Sequence, residues 1–190
     1  MAERVKNMRQ LLIEAGIEEI NRAGVAEFSV RRVATACGVS CAAPYKHFKD
    51  KREFIAAIID YVNDQWRERQ EQILASCGDS LRTQIVEVVV GYVRFLMEKP
   101  YFRSILMLKD AEFDNLYHKA RGQMSSRSQL MEKEFFDQSG WDQAKIKRKL
   151  HIVRAILFGT VFLADIGELR YDESALENIR AAVDREFDLP

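Results

Sequence analysis

Residues 29–51 gather the side chains of this chain whose types and spacing most clearly suit a chemical task. Arg31, Arg32, Lys46, His47, Lys49 and Lys51 surround a run of small side chains, Ser40, Cys41, Ala42 and Ala43. Cations of this kind meet phosphates, and small side chains let a backbone come close to base edges. Ser29 and Tyr45 add hydroxyls. The chemistry is recognition of a polyanion, not bond making. Elsewhere there is no Gly-rich phosphate loop and no nucleophile paired with a base. No Cys/His set has metal-ligand spacing, and neither His118 nor His151 has ligating neighbours in sequence. No cofactor and no catalytic residues are expected.

These side chains need elements to hold them. Val30, Val33, Ala34 and Cys37 recur at i, i+3, i+4, i+7, which predicts a short helix with one apolar face. Ser29 suits its N-cap. Arg31 and Arg32 fall in its first turn, where the helix dipole disfavours cations, so an external anion such as a DNA phosphate is expected beside them. Gly38 stops the helix in a left-handed conformation, and Val39 fills the angle beyond. A second helix should run from Ser40, its cap, to Lys46. Pro44 is tolerated there because it lies in the first turn. Tyr45 and Phe48 should pack inward, with the Tyr45 hydroxyl left to reach a phosphate. Ahead of the pair, Leu12, Ile13, Ile17 and Ile20 belong to a scaffold helix ended by Gly24. Behind it, Asp50 and Glu53 form a capping box for a long helix through Phe54, Ile58, Val62 and Trp66.

The order Ser29, Val30, Val33, Ala34, Cys37, Gly38, Val39, Ser40, Tyr45, His47, Phe48, Lys51, Phe54 resembles the DNA-binding domain of the TetR family of bacterial transcription regulators. The likeness covers about the first third of the chain. It departs at Ala42-Ala43-Pro44, which bears on the bases read rather than on the docking mode. The resemblance implies an all-α protein of about nine helices. A helix-turn-helix domain over residues 1–50, with its motif at 29–48, would lead into a fourth linking helix at about 51–76. An effector-binding and dimerisation domain would fill 78–190. It implies DNA contacts by Ser29, Arg31, Arg32, Ser40, Cys41, Ala42, Ala43, Tyr45, Lys46, His47 and Lys51. The partners implied are a double-stranded DNA operator, a small apolar or aromatic effector and a second copy of the chain. Repression is the expected sense of control, with activation left open.

Charge agrees with that placement. The 190 residues are neutral overall, yet residues 1–52 hold ten Lys/Arg against six Asp/Glu, a net of +4, which leaves −4 for the rest. Three cysteines, an odd number, and no export signal predict reduced thiols in the cytoplasm. No apolar run is long enough to cross a bilayer.

Beyond Gly78 the Met and aromatic residues cluster. Tyr92, Phe95, Phe102, Met107, Phe113, Tyr117 and Met124 are the candidates for the effector pocket that the resemblance implies. Ala155 to Ala164 has Thr160 as its one polar side chain, so this helix must be covered all round. The resemblance assigns it, with the last helix, to a four-helix bundle between two subunits. Ile156, Gly159, Phe162, Leu163, Leu176, Ile179 and Val183 are the interface candidates. Ser174 and Glu177 resemble a second capping box.

Overall fold

Helix ends are written clearly in this chain, and they divide it into helical elements. The computed structural model describes residues 2–107 and 114–189, with side chains over 8–103 and 127–189. Among the described residues there are eight α-helices, one 3-10 turn and no strand. They are α1 (Ala2–Ala23), α2 (Val30–Ala36), the 3-10 turn Pro44–Lys46, α3 (Lys51–Ser76), α4 (Leu81–Glu98), α5 (Pro100–Met107), α6 (Asp114–Ser139), α7 (Gln143–Asp165) and α8 (Glu173–Glu186). The all-α expectation holds, with a helix-turn-helix segment at the N-terminal end and a helical domain after it.

The chain forms two compact units. One contains Met1–Gln65 and Lys99–Gln123; the other contains Trp66–Glu98 and Met124–Pro190. The division falls inside α3, not at the loop before it. The reason is packing: Phe54, Ile55, Ile58, Ile59 and Val62, from the first half of α3, are all buried in the first unit. They join Leu12, Ile13, Ile17 and Ile20 of α1 and Val30, Val33 and Ala34 of α2. Phe48 stacks on Phe54 with ring centroids 4.1 Å apart, and Phe28 meets Phe54 edge-on at 5.4 Å.

In the second unit α8 packs on α4 and α7, and α7 packs on α4. Val153, Leu157 and Val161 step by four along the buried side of α7. Leu176, Ile179 and Val183, expected on the subunit interface, are instead buried against the chain's own helices at 2, 4 and 0 % exposure. The stripe is the inner face of an amphipathic helix, and sequence periodicity does not say which body covers it. Lys149 is buried with them. Its Nζ donates to the Glu186 and Leu189 carbonyls, both at 2.8 Å, and lies 3.0 Å from a Glu186 carboxylate oxygen. This satisfies all three donors of a buried ammonium. The N-cap of α8 is Asp172, whose Oδ1 accepts from the Ala175 N–H at 3.1 Å, and not Ser174. Asp is as good a cap as Ser and adds a favourable charge at the helix start.

Candidate nucleic-acid interface

The motif is held by ordinary capping chemistry. The Ser29 hydroxyl accepts from the Arg32 N–H at 3.3 Å, opening α2. At the other end the Val39 N–H donates to Ala34 O and the Gly38 N–H to Thr35 O, both at 3.0 Å. These two bonds are the Schellman arrangement. Gly38 has φ 66°, a left-handed value that a side chain would strain. The chain is thereby turned sharply towards Ser40.

From Ser40 onward the backbone is tighter than the expected helix. Ala43 donates to the Ser40 carbonyl, Lys46 to Ala43 and His47 to Pro44, at 2.9, 3.1 and 2.9 Å. These are i to i+3 bonds, and helical structure is confined to Pro44–Lys46. Pro44 has no N–H to offer the Ser40 carbonyl, so Ala43 takes that acceptor instead. The capping position is Ala43, without a side-chain cap, rather than Ser40. Pro44 and Phe48 are buried beneath the turn. Ser40, Cys41, Ala42, Tyr45 and Lys46 are exposed, and Ala43 and His47 half-buried. Tyr45 is 55 % exposed, so it does not pack inward; Phe48 alone fills that role. Below the ring of Phe48, the Arg9 guanidinium lies 5.3 Å from its centroid.

The cations around the turn fall into two groups. Arg31 and Lys46 are exposed. Arg32 is committed to the chain itself. Its Nε donates to Glu19 Oε1 at 2.6 Å, and its Nη2 donates to the Glu27 carbonyl. The anion expected near it is therefore supplied by α1. Lys51 donates from Nζ to the Ala26 carbonyl at 3.3 Å, which leaves two of its three N–H donors for another acceptor. It sits at the start of α3, where Asp50 Oδ1 accepts from the Glu53 N–H at 2.8 Å. Glu53 reaches back to the Lys49 N–H at 2.7 Å, one residue before the cap. Cys37 is half-buried, with Sγ 3.8 Å from the Leu11 carbonyl, and burial pushes its thiol pKa up. Cys41 is exposed.

Lys51→Ala is expected to weaken binding to specific and random duplexes by the same factor. The slope of log affinity against log salt should flatten by about 0.9 for each phosphate that is no longer neutralised. A titration series in salt reads this directly, and an unchanged slope would remove Lys51 from the interface.

Of the expected effector residues, Tyr92, Phe95 and Phe102 have described side chains. Tyr92 and Phe95 pack around Trp66 in the second unit, with centroids 4.9 and 5.4 Å from its ring. Phe102 is fully buried in the first unit. Phe113 lies outside the described residues, as do the side chains of Met107, Tyr117 and Met124. The second unit also has a groove of about 540 Å³, lined by Arg69, Gln72, Gly91, Arg94 and Arg180 among others. Its arginines are engaged: Arg94 with Glu173 at 3.0 Å and Arg180 with Glu87 at 2.6 Å. Among the described residues no group of three or more His, Cys, Asp or Glu could hold a metal ion. No described helix is long and apolar enough to cross a membrane.

Comparison with known proteins matches residues 12–58 to the family model described as bacterial regulatory proteins, tetR family. Solved structures of similar fold span nearly the whole chain. A fatty acid degradation regulator, FadR, from Bacillus halodurans superposes with a TM-score of 0.76 at 13 % identity, covering 93 % of this chain and 94 % of that one. The transcriptional regulator FadR from Bacillus subtilis, in complex with stearoyl-CoA, gives 0.74 at 16 % identity over 93 % and 95 %. A TetR family transcription regulator from Marinobacter aquaeolei gives 0.74 at 19 % identity over 98 % of each chain.

Proposed function

We propose that this chain, whose residues 12–58 match the tetR family of bacterial regulatory proteins, is a cytoplasmic, homodimeric, DNA-binding transcription repressor of that family, released from its operator by a small apolar or aromatic effector. The observation that carries the DNA-reading part is the turn at Ser40–Lys46. It offers small side chains and a phenol to the outside while Pro44 and Phe48 anchor it from within. Ala42 and Ala43 suit contact with thymine methyl groups, and Lys46 suits the acceptors of guanine. Ser29, Arg31, His47 and Lys51 would set the register on phosphates, and Tyr45 would add a base-edge contact to the reach of its hydroxyl to a phosphate.

The dimer is supported by α7. Opposite its buried stripe, Phe158, Phe162, Leu163 and Ile166 are 38, 51, 39 and 50 % exposed. Large apolar side chains clustered on one helix face are costly in water and mark an interaction surface. A Cβ placed on Gly159 would meet nothing within 4 Å, so the room beside it is open to a second helix. The Ile156 side of α7 is half-buried and would lie at the rim. The α8 contribution would come from its exposed Asn178, Ala181 and Ala182, since Leu176, Ile179 and Val183 face inward.

An apolar effector is favoured by the Met and aromatic content of α4 to α6 and by likeness to a fold that, in the Bacillus subtilis protein, is seen with stearoyl-CoA. Such a ligand acts only through its differential affinity for the DNA-bound and released states. The test has two steps. Duplexes are selected from a random pool by the purified protein, and fatty acyl and aromatic compounds are then titrated against the best duplex. Release by one compound class supports the repressor reading. Selection without any enrichment would refute DNA reading, and tightening by ligand would point to the opposite sense of control.

A further inference from the structure

Glu19 is a charged residue that the DNA-reading turn does not contain, yet the turn's support converges on it. It lies on α1 at 7 % exposure. One carboxylate oxygen accepts from Arg32 Nε at 2.6 Å. The other accepts from Arg22 Nη2 at 2.8 Å and from Arg22 Nε at 3.3 Å. The same Arg32 guanidinium donates to the Glu27 carbonyl in the segment that joins α1 to α2. Lys51 holds the neighbouring Ala26 carbonyl. Burial alone would raise the Glu19 pKa, but hydrogen bonds from Arg32 and Arg22 outweigh it and hold the carboxyl below its ordinary range.

We propose that Glu19 is a positioning residue for DNA reading: its carboxylate locks Arg32, and with it the first turn of α2, onto α1, and so sets the angle at which Ser40–Lys46 is presented. The inference rests on the DNA-binding reading above. An exposed ion pair contributes little to stability, but Glu19 is buried, and without Arg32 the oxygen it holds loses that donor while Arg22 keeps the other oxygen. The rigid fork of Arg32 commits its Nε and Nη2 to a carboxylate and a carbonyl of its own domain. Arg32, though 48 % exposed at its side chain, would therefore act on DNA through α1 and not as a phosphate contact, whereas Arg31, one residue earlier and also exposed, would remain for that role.

The experiment compares the full-length wild type with Glu19→Gln, Arg32→Gln and the double variant. Each binds a duplex selected by the wild type and a shuffled duplex, at several salt concentrations. Readings are taken at a temperature where circular dichroism shows each variant folded. Glu19→Gln should lose about tenfold or more on the selected duplex, keep its affinity for the shuffled one and keep the wild-type salt slope. Arg32→Gln should behave alike, and the double variant should be no weaker than either single change. Should Glu19→Gln not fold, Arg32→Gln, in which Arg22 still pairs with Glu19, carries the test. Unchanged affinity in a folded variant would overturn the proposal. So would a salt slope that falls by about 0.9 per subunit in Arg32→Gln, because that is the mark of a phosphate left without its cation. If the wild type selects no sequence at all, the DNA-binding reading fails first, independently of Glu19.

Discussion

A Phe162→Glu chain is expected to sediment as a monomer and to lose selected-duplex affinity by about a hundredfold or more, while its circular dichroism stays helical. Phe162 is 51 % exposed on α7, with Phe158 and Ile166 one turn to either side. Its removal leaves no cavity in the chain's own core, because the buried side of α7 is Val153, Leu157 and Val161. In a twofold interface the substitution enters twice. Each carboxylate would be desolvated without a partner, at a cost of several kcal/mol by the usual penalty for an unpaired charge. A monomer presents one reading turn and forfeits the second half-site. An intact dimer by sedimentation would move the interface away from this face of α7.

Tyr45→Ala has the next largest expected effect, a loss of roughly 10- to 100-fold on the selected duplex, in line with about 1–3 kcal/mol for a good specific contact. The ring is 55 % exposed, so thermal stability should change little. Affinity for a shuffled duplex should fall much less. Equal losses on both duplexes would assign Tyr45 to phosphates alone, and no loss would place the reading surface elsewhere.

Much of the helix-turn-helix is legible in the sequence because its devices are local. Ser29 at the cap, Gly38 at a positive φ and Asp50 with Glu53 at the next start each depend on a few neighbouring residues. What depends on partners far along the chain is not legible. Arg32 reads as a free cation until Glu19, thirteen residues earlier, is brought to it by the crossing of α1 and α2. Leu176, Ile179 and Val183 read as an apolar stripe in either setting, and only the packing of α8 on α4 and α7 shows that they face inward. Phe158 could have been found, since it lies four residues before Phe162 in the same apolar run, and so could Ile166, four residues after Phe162 and just past Asp165. The proposed reading element is also shorter than its residue types suggest. Pro44 permits a helix start in general, but here it converts the four residues before it into a turn.

The most direct test is a footprint of the purified protein on its selected duplex, repeated at rising salt. Two protected segments should appear on one face of the DNA, centred about 34–36 Å apart or a whole-turn multiple of that, as a twofold pair of reading turns requires. Binding should fall steeply as salt rises. Protection that is uniform along the duplex, or absent at any salt, would contradict sequence reading by the Ser40–Lys46 turn.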